Sequence, residues 1–191
     1  FMEQMDATVL ATALPTLARD FGVAAPAMSI AMTSYLLALA VLIPASGAIA
    51  DRFGLRRVFS ASIWVFVGGS ILCSLADSLP TMVAARVLQG AGGAMMAPLG
   101  RLILLRTVER RHLVSAMAWT LVPAFIGPML GPPLGGFFVS YLDWRWIFYI
   151  NVPIGIAGFL LVRRFIPDIP SESAPARFDL RGFVLLSLIH I

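Results

Sequence analysis

The chain has 191 residues, of which 59% are hydrophobic and 13% charged, and its mean hydropathy is +0.90. Soluble domains contain roughly 45–50% apolar and about 25% charged residues, so this composition excludes an ordinary soluble fold and predicts an integral membrane protein. All basic side chains are arginine, and we attribute the net charge of +4 to membrane topology rather than to binding of nucleic acid.

Six apolar segments are long enough to cross a bilayer as helices, which takes about 20 residues. They fall at about residues 1–17, 27–50, 58–76, 81–105, 113–141 and 146–162. These spans predict an all-α bundle, with the first span truncated upstream. A polar cytoplasmic linker is predicted at residues 163–182, and another span begins at 183–185.

The C-terminal end of the chain has an unusual sequence. Residues 186–191 match what the end of a common sequencing-library transposon would encode, and we interpret them as a non-native tail. We therefore expect the native chain to continue past Leu185, and we give His190 no functional weight.

The arginines outside the spans are divided unequally between the two sides of the membrane. Arg19 and Arg145 fall on one side, with Tyr141, Trp144 and Trp146 nearby as interfacial aromatic residues. The other side holds the remaining loop arginines, which are Arg52, Arg56, Arg57, Arg106, Arg110, Arg111, Arg163, Arg164, Arg177 and Arg181. Because arginine-rich loops stay in the cytoplasm, this second side and the N-terminus are predicted to be cytoplasmic.

The first span contains a carboxylate, Asp6, about halfway across the membrane. An ionisable group at that depth costs a few kcal/mol and by default marks a functional site. Asp6 could exchange a proton for a cationic substrate. The alternative is an acid that pairs structurally with Arg86 or with a backbone amide. Glu3 lies one turn earlier, nearer the cytoplasmic interface, where we expect a solvated role.

A charged segment, residues 47–57, joins the second and third spans with the pattern G-x-x-x-D-R-x-G-x-R-R. Gly54 suits a tight turn with positive φ, and Asp51 suits pairing with arginines or with helix N-termini. The alternative is that the arginines only determine topology. The candidate functional residues of this loop are Gly47, Asp51, Arg52, Gly54, Arg56 and Arg57.

The fourth span carries Arg86, Gln89, Gly90 and Gly93 at spacings that place them on one helix face. A charge within a span usually faces a cavity or a partner, and the two glycines allow close helix approach. The alternative for Arg86 is an arginine near the interface that extends its guanidinium to water.

The fifth span has a glycine stripe, Gly127, Gly131 and Gly135, that recurs every four residues and predicts close packing against another helix. Pro132 and Pro133 remove backbone donors and should bend the helix. The alternative is a kinked, tightly packed helix without further meaning. The candidate motif residues here are Gly127, Gly131, Pro132, Gly135 and Gly136.

The sixth span begins with the string W-R-W-I-F-Y-I-N-V-P-I-G, residues 144–155. Its aromatic rings suit the membrane interface, and we assign Asn151 to backbone freed by Pro153. No HExxH, GxSxG or Walker pattern occurs in the chain, so neither an enzyme, a cofactor nor a metal site is predicted. His112 lies in an arginine-rich loop, where we expect a solvated role.

In order, these five motifs resemble the Major Facilitator Superfamily over nearly the whole chain. The D-x-T and A-L-P patterns of the first span and the tryptophan-rich string resemble its fourteen-span drug:proton antiporters, the EmrB/QacA-like group. The charged segment departs from the family pattern at Leu55, where the family has a basic residue. The resemblance implies an N-terminal fragment: the six-helix half of a transporter, built as two inverted three-helix repeats, with substrate bound near the midplane between two halves.

The resemblance also implies a role for each motif. Asp6 would accept a proton or contact a cationic substrate, and Arg86 with Gln89 would tune that exchange. The charged segment would hold the inward gate closed against the other half. The span-five motif resembles one that occurs in exporters and is largely absent from symporters. The implied function is proton-coupled efflux of many small molecules.

The implied location is the bacterial cytoplasmic (inner) membrane, with several spans and a cytoplasmic N-terminus. The implied partners are lipophilic or cationic small molecules, protons and the lipid bilayer, with a periplasmic adaptor as a further candidate. A second hypothesis is a proton-linked or facilitative carrier for one metabolite or siderophore. A third is an intramembrane enzyme or non-transporting scaffold, which would need a catalytic dyad or a soluble interaction domain.

Overall fold

The computed structural model describes residues 1–167, and every regular element in that range is helical. The helices are α1 Met2–Asp20, α2 Ala25–Phe53, α3 Leu55–Ser74, α4 Leu79–Thr107, α5 Leu113–Tyr141 and α6 Trp146–Phe165. α2 passes through a short 3-10 segment at Ile43–Ala45, and α6 consists of Trp146–Tyr149 and Asn151–Phe165. The predicted all-α fold is confirmed, and each predicted span corresponds to one of these helices.

Within the described range, five of the helices, α2 to α6, are long and apolar enough to cross a membrane on that basis alone. α1 differs because Glu3, Asp6, Arg19 and Asp20 lower its hydropathy. One face of α1 is nevertheless buried, including Leu10, whose side chain is fully enclosed. Of these charges only Asp6 is buried, so α1 depends on its helical neighbours, rather than on lipid, for the environment of that group.

The charged segment is mostly helical, so the prediction of a loop at residues 47–57 is wrong. Ser46–Phe53 continues α2, and α3 begins at Leu55, which leaves Gly54 as the turn. The φ of Gly54 is 91°, a conformation that side chains with a Cβ rarely adopt, and the predicted positive-φ glycine is confirmed. The helix can continue because arginine side chains reach water from a helical backbone whose own hydrogen bonds stay intact.

The linker prediction at residues 163–182 is partly wrong, because α6 continues to Phe165. The rest of the predicted linker, the start of a span at 183–185 and the predicted non-native tail at 186–191 lie outside the described residues.

α4 lies at the centre of the bundle, packed most extensively against α3 and α2, while α5 packs against α1. Glycines bring α3 and α4 into backbone contact. A Cβ added to Gly92 would lie 2.5 Å from the backbone nitrogen of Phe66, and one added to Gly69 would lie 2.6 Å from Cα of Gln89. This close approach positions α4 so that its polar side chains lie inside the bundle.

The turn before α6 is anchored on the end of α1. Trp144 is buried, and its Nε1 donates a 2.6 Å hydrogen bond to Asp20 Oδ2. The Phe21 ring meets the Trp144 ring edge to face at 5.6 Å between centroids. Trp144 is therefore a buried anchor, and its predicted position at the membrane interface stays a prediction. The anchor fixes where α6 begins relative to α1.

Candidate functional site

Asp6, Arg86 and Gln89, predicted separately as site residues, lie together inside the bundle. The relative exposure of Asp6 is 1%, and that of Arg86 and Gln89 is 0%. Arg86 Nη1 donates to Asp6 Oδ2 at 2.5 Å and to Gln89 Oε1 at 2.6 Å. The alternative of an Arg86 that extends to water is therefore wrong. The structural pairing of Asp6 with Arg86, left open by the sequence, is the arrangement observed.

Gln89 connects this ion pair to α3. Its Nε2 donates to Asp6 Oδ1 at 2.9 Å and to Ser70 Oγ at 2.7 Å. Its Oε1, besides accepting from Arg86, lies 3.7 Å from the Cys73 sulfur, a weak contact. Both ends of the Gln89 amide are therefore used, and they tie α1, α3 and α4 together.

Asn151 belongs to the same cluster, although the sequence did not identify it as a site residue. Its Nδ2 donates to Asp6 Oδ1 at 3.1 Å and to Ser70 Oγ at 2.9 Å. The assignment of Asn151 to backbone freed by Pro153 is thus wrong, because its donor group meets side chains of α1 and α3. An amide inside an apolar span was a usable signal for Asn151. Ser70 gave none, because serine in a helix commonly bonds its own backbone.

α2 contributes an aromatic face and a backbone acceptor to the guanidinium. The Tyr35 ring centroid lies 4.2 Å from Cζ of Arg86, close enough for a cation–π contact. Arg86 Nε donates to the backbone oxygen of Ala31 at 3.3 Å. Arg86 is therefore contacted from α1, α2 and its own helix, with no solvent exposure.

The cluster has one acid, one permanently charged base and two neutral amides around a serine hydroxyl. Asp6 accepts three N–H donors, from Arg86, Gln89 and Asn151, which is the pattern expected of an ionised carboxylate. Breaking a buried pair by removing one partner costs about 3–5 kcal/mol, because the other charge is left uncompensated. In this conformation Asp6 and Arg86 therefore form a buried ion pair supported by two amide donors.

The charged segment forms a second cluster, apart from Asp6, at one end of the bundle. Asp51 Oδ1 lies 3.3 Å from Nη2 of Arg106, at the end of α4, and Arg56 donates to the backbone oxygen of Arg163 in α6 at 2.8 Å. The Arg52 guanidinium lies over the Phe53 ring at 5.4 Å. These contacts place the ends of α2, α4 and α6 on the same side of the bundle, as the arginine distribution predicted.

Leu55 explains how this chain accommodates its departure from the family pattern. Its side chain is buried and packs in a hydrophobic cluster with Ala50, Val58, Leu99 and Ile103. A charged side chain at this position would be enclosed by apolar groups. Leucine therefore contributes to the core beneath the turn instead of to the charged surface.

The glycine stripe of α5 packs directly on α1, so the predicted close packing is confirmed. A Cβ at Gly127 would lie 3.2 Å from the backbone nitrogen of Met5. Cβ atoms at Gly131 and Gly135 would overlap the hydroxyl oxygens of Thr8 and Thr12. Of the other two motif residues, Pro132 is exposed and Gly136 faces open space. The stripe thus sets the position of the helix that carries Asp6.

Comparison with known proteins agrees with this architecture. A family model described as Major Facilitator Superfamily matches residues 1–188. Proteins provisionally named multidrug resistance protein MdtD, from Salmonella paratyphi B and Salmonella typhi, are each 45% identical over 188 residues, which cover 98% of this chain. The chain spans 40% of the length of these relatives.

The fold is also that of a solved transporter. The crystal structure of the human organic anion transporter MFSD10 (TETRAN) superposes with a TM-score of 0.76 at 18% identity, covering 97% of this chain and 50% of that protein. The described range contributes six helices to this match. The chain therefore belongs to the Major Facilitator Superfamily.

Proposed function

We propose that this chain forms half of a proton-driven exporter of small molecules, and that Asp6 is the group that takes up the proton. The observation that carries the proposal is the buried ion pair between Asp6 and Arg86. Neither side chain has appreciable access to solvent, and no other carboxylate among the described residues pairs with Arg86. A change in the charge of Asp6 therefore acts directly on a buried guanidinium.

Protonation of Asp6 would remove the counter-ion of Arg86. Arginine stays charged in proteins, so the imbalance cannot be relieved by loss of a proton from Arg86. An uncompensated charge in this setting costs about 3–5 kcal/mol. A two-state protein needs about 5.5 kcal/mol to shift from 1:99 to 99:1. One protonation event therefore supplies most of the free energy needed to favour a second conformation.

A cationic substrate could compete with Arg86 for the same carboxylate. Proton and substrate would then bind Asp6 alternately, which is the requirement for exchange in opposite directions. Export is supported by the similarity to proteins named for multidrug resistance and by the span-five motif, whose glycines contact α1. Lipophilic and cationic small molecules are the substrate classes that fit this chemistry.

The proposed location is the bacterial cytoplasmic membrane, with the arginine-rich ends of α2, α4 and α6 facing the cytoplasm. The basis is the positive-inside rule. Five helices with membrane-compatible length and hydropathy support membrane embedding. A periplasmic adaptor is a further candidate partner, to be tested by co-purification. Family and fold point to a transporter rather than an enzyme.

The experiment uses the full-length protein in everted membrane vesicles, with proton release followed as substrate is added. Asp6→Asn should abolish substrate-driven proton release. Glu3→Gln is the matched control, because Glu3 is one turn away on α1 and only partly buried. Release at the wild-type level from Asp6→Asn would remove Asp6 from the mechanism. If wild-type vesicles release no protons with any member of a cationic and lipophilic panel, the antiport proposal is wrong.

A further inference from the structure

Two side-chain amides contact Asp6, and the structure fixes their orientations to different degrees. Gln89 donates from Nε2 to Asp6 and Ser70, and its Oε1 accepts from Arg86 at 2.6 Å. If this amide turned over, its NH2 group would face the guanidinium, donor against donor. Gln89 is therefore held in one orientation by Arg86.

Asn151 is held from one side only. Its Nδ2 donates to Asp6 and Ser70, whereas its buried Oδ1 has no hydrogen-bond partner among the described residues. The Ser70 hydroxyl can either donate or accept, so it imposes no orientation on the amide. Asp6 is thus the group that determines which end of the Asn151 amide faces the cluster.

The two protonation states of Asp6 require opposite ends of that amide. An ionised carboxylate only accepts, so it requires an N–H from Asn151. If Oδ1 of Asp6 took up a proton, its O–H group would be a donor and would face the N–H donor of Asn151. Gln89 cannot turn without losing Arg86, but Asn151 can turn about its terminal torsion. Its oxygen would then accept from Asp6 and from Ser70.

The turned orientation costs little more than the observed one. In the structure, Asn151 already leaves Oδ1 buried without a partner. After the turn, Nδ2 would occupy that unpaired position instead. Each orientation leaves one end of the amide without a partner. The free-energy difference between the two orientations therefore depends mainly on the charge of Asp6.

We propose that Asn151 is a positioning residue that responds to the protonation state of Asp6, its amide turning over when Asp6 takes up a proton. This inference rests on the proposed proton-coupled function. Asn151 is the first residue of the longer part of α6, so the change would act at the start of that helix. The charged and titratable groups around Asp6 are Arg86 on α4, Tyr35 on α2, Cys73 on α3 and Glu3 on α1.

Infrared difference spectra of the full-length protein in lipid vesicles, recorded between alkaline and acidic pH, test this directly. Asparagine would be labelled with 13C in its side chain, so that its amide band is separated from that of glutamine. The wild type should show a carboxyl band and an asparagine band that change over the same pH range. Asp6→Asn should remove both pH-dependent changes. Asn151→Leu should remove the asparagine change and retain the carboxyl band.

Asn151→Leu should also move the midpoint of the carboxyl band, and of the transport pH profile, upward by about one pH unit. The ionised carboxylate loses an N–H donor worth about 1.5–3 kcal/mol, and the protonated form loses an acceptor worth about 0.5–1.5 kcal/mol. The net difference is about 1–1.5 kcal/mol, where 1.36 kcal/mol is one unit. Ser74→Ala is the control, since Ser74 is buried on α3 but donates to the backbone of Ile71. It should leave the midpoint unchanged.

The outcomes separate the inference from the proposed function. An Asp6-dependent carboxyl band with no accompanying asparagine change overturns the role of Asn151 and leaves the proton role of Asp6 intact. The same holds if Asn151→Leu leaves the midpoint in place. If Asn151→Leu does not fold, the labelled wild type and Asp6→Asn still decide the matter. Absence of any Asp6-dependent carboxyl band over the active pH range overturns both proposals.

Discussion

The ion pair between Asp6 and Arg86 should show a strong and asymmetric energetic coupling. Asp6→Leu would leave Arg86 buried with only Gln89 Oε1, the Ala31 carbonyl and the Tyr35 ring around it. Arg86→Met would leave Asp6 with two amide donors and the option of protonation. We therefore expect a loss of about 5 kcal/mol of unfolding free energy for Asp6→Leu and about 3 kcal/mol for Arg86→Met.

The double variant should be less destabilised than the sum of the two single changes. Two charges about 4 Å apart interact by about 4 kcal/mol at the effective dielectric typical of proteins. Replacing both by apolar groups removes the isolated charge, but it leaves the amides of Gln89 and Asn151 short of an acceptor, at about 1–3 kcal/mol each. We expect the double variant to lose about 2–6 kcal/mol, with a coupling energy of at least about 2 kcal/mol.

The assay is equilibrium unfolding of the full-length protein in mixed micelles, followed by tryptophan fluorescence, for the wild type and three variants. Costs that add to within about 0.5 kcal/mol would show that the two residues do not interact. That result would refute the ion pair as the dominant arrangement. A larger loss for Arg86→Met than for Asp6→Leu would refute the argument that a buried guanidinium without its partner costs more than a buried carboxyl without its partner.

Three further predictions concern stability, measured by the same unfolding assay. Gly131→Ala should destabilise by at least about 1–3 kcal/mol, because its Cβ would overlap Thr8. Gly68→Ala should be near neutral, because it faces open space, and equal costs would contradict the packing of α5 on α1. Gly54→Ala should cost about 1–3 kcal/mol, because a residue with a Cβ is strained at the positive φ of this turn. A neutral result would contradict that conformation. Trp144→Phe should cost about 1.5–3 kcal/mol by losing the bond to Asp20, and an unchanged stability would show that this anchor contributes nothing.

The sequence predicted where the helices lie better than it predicted the segments that join them. Hydropathy located six segments because the thickness of the bilayer sets a minimum apolar length. It misjudged the charged segment, since charge was taken to indicate a loop. A helix end can carry arginines when their long side chains reach water. Only Gly54, with its special conformation, marked the true boundary.

The candidate site was predicted in part. Asp6 and Arg86 were identifiable because charges within spans are costly, and Gln89 because it shares a face with Arg86. Their meeting could not be derived, since Asp6 and Arg86 are 80 positions apart and their contact depends on tertiary packing. Asn151 was missed because the neighbouring Pro153 offered a sufficient local explanation for a polar side chain.

One carboxylate is placed where four other helices can respond to its charge. The Asn151 amide on α6 donates to Asp6 and to Ser70 on α3, and the Gln89 amide on α4 also donates to Asp6. Arg86 on α4 pairs with Asp6 and contacts the Tyr35 ring on α2. α5 touches α1 through glycines, which present no polar group to Asp6. The response to a proton should therefore originate between α1 and the polar faces of the other helices. Since α5 packs on α1 without a polar contact to Asp6, we expect its packing to depend less on the charge of Asp6 than that of the other helices.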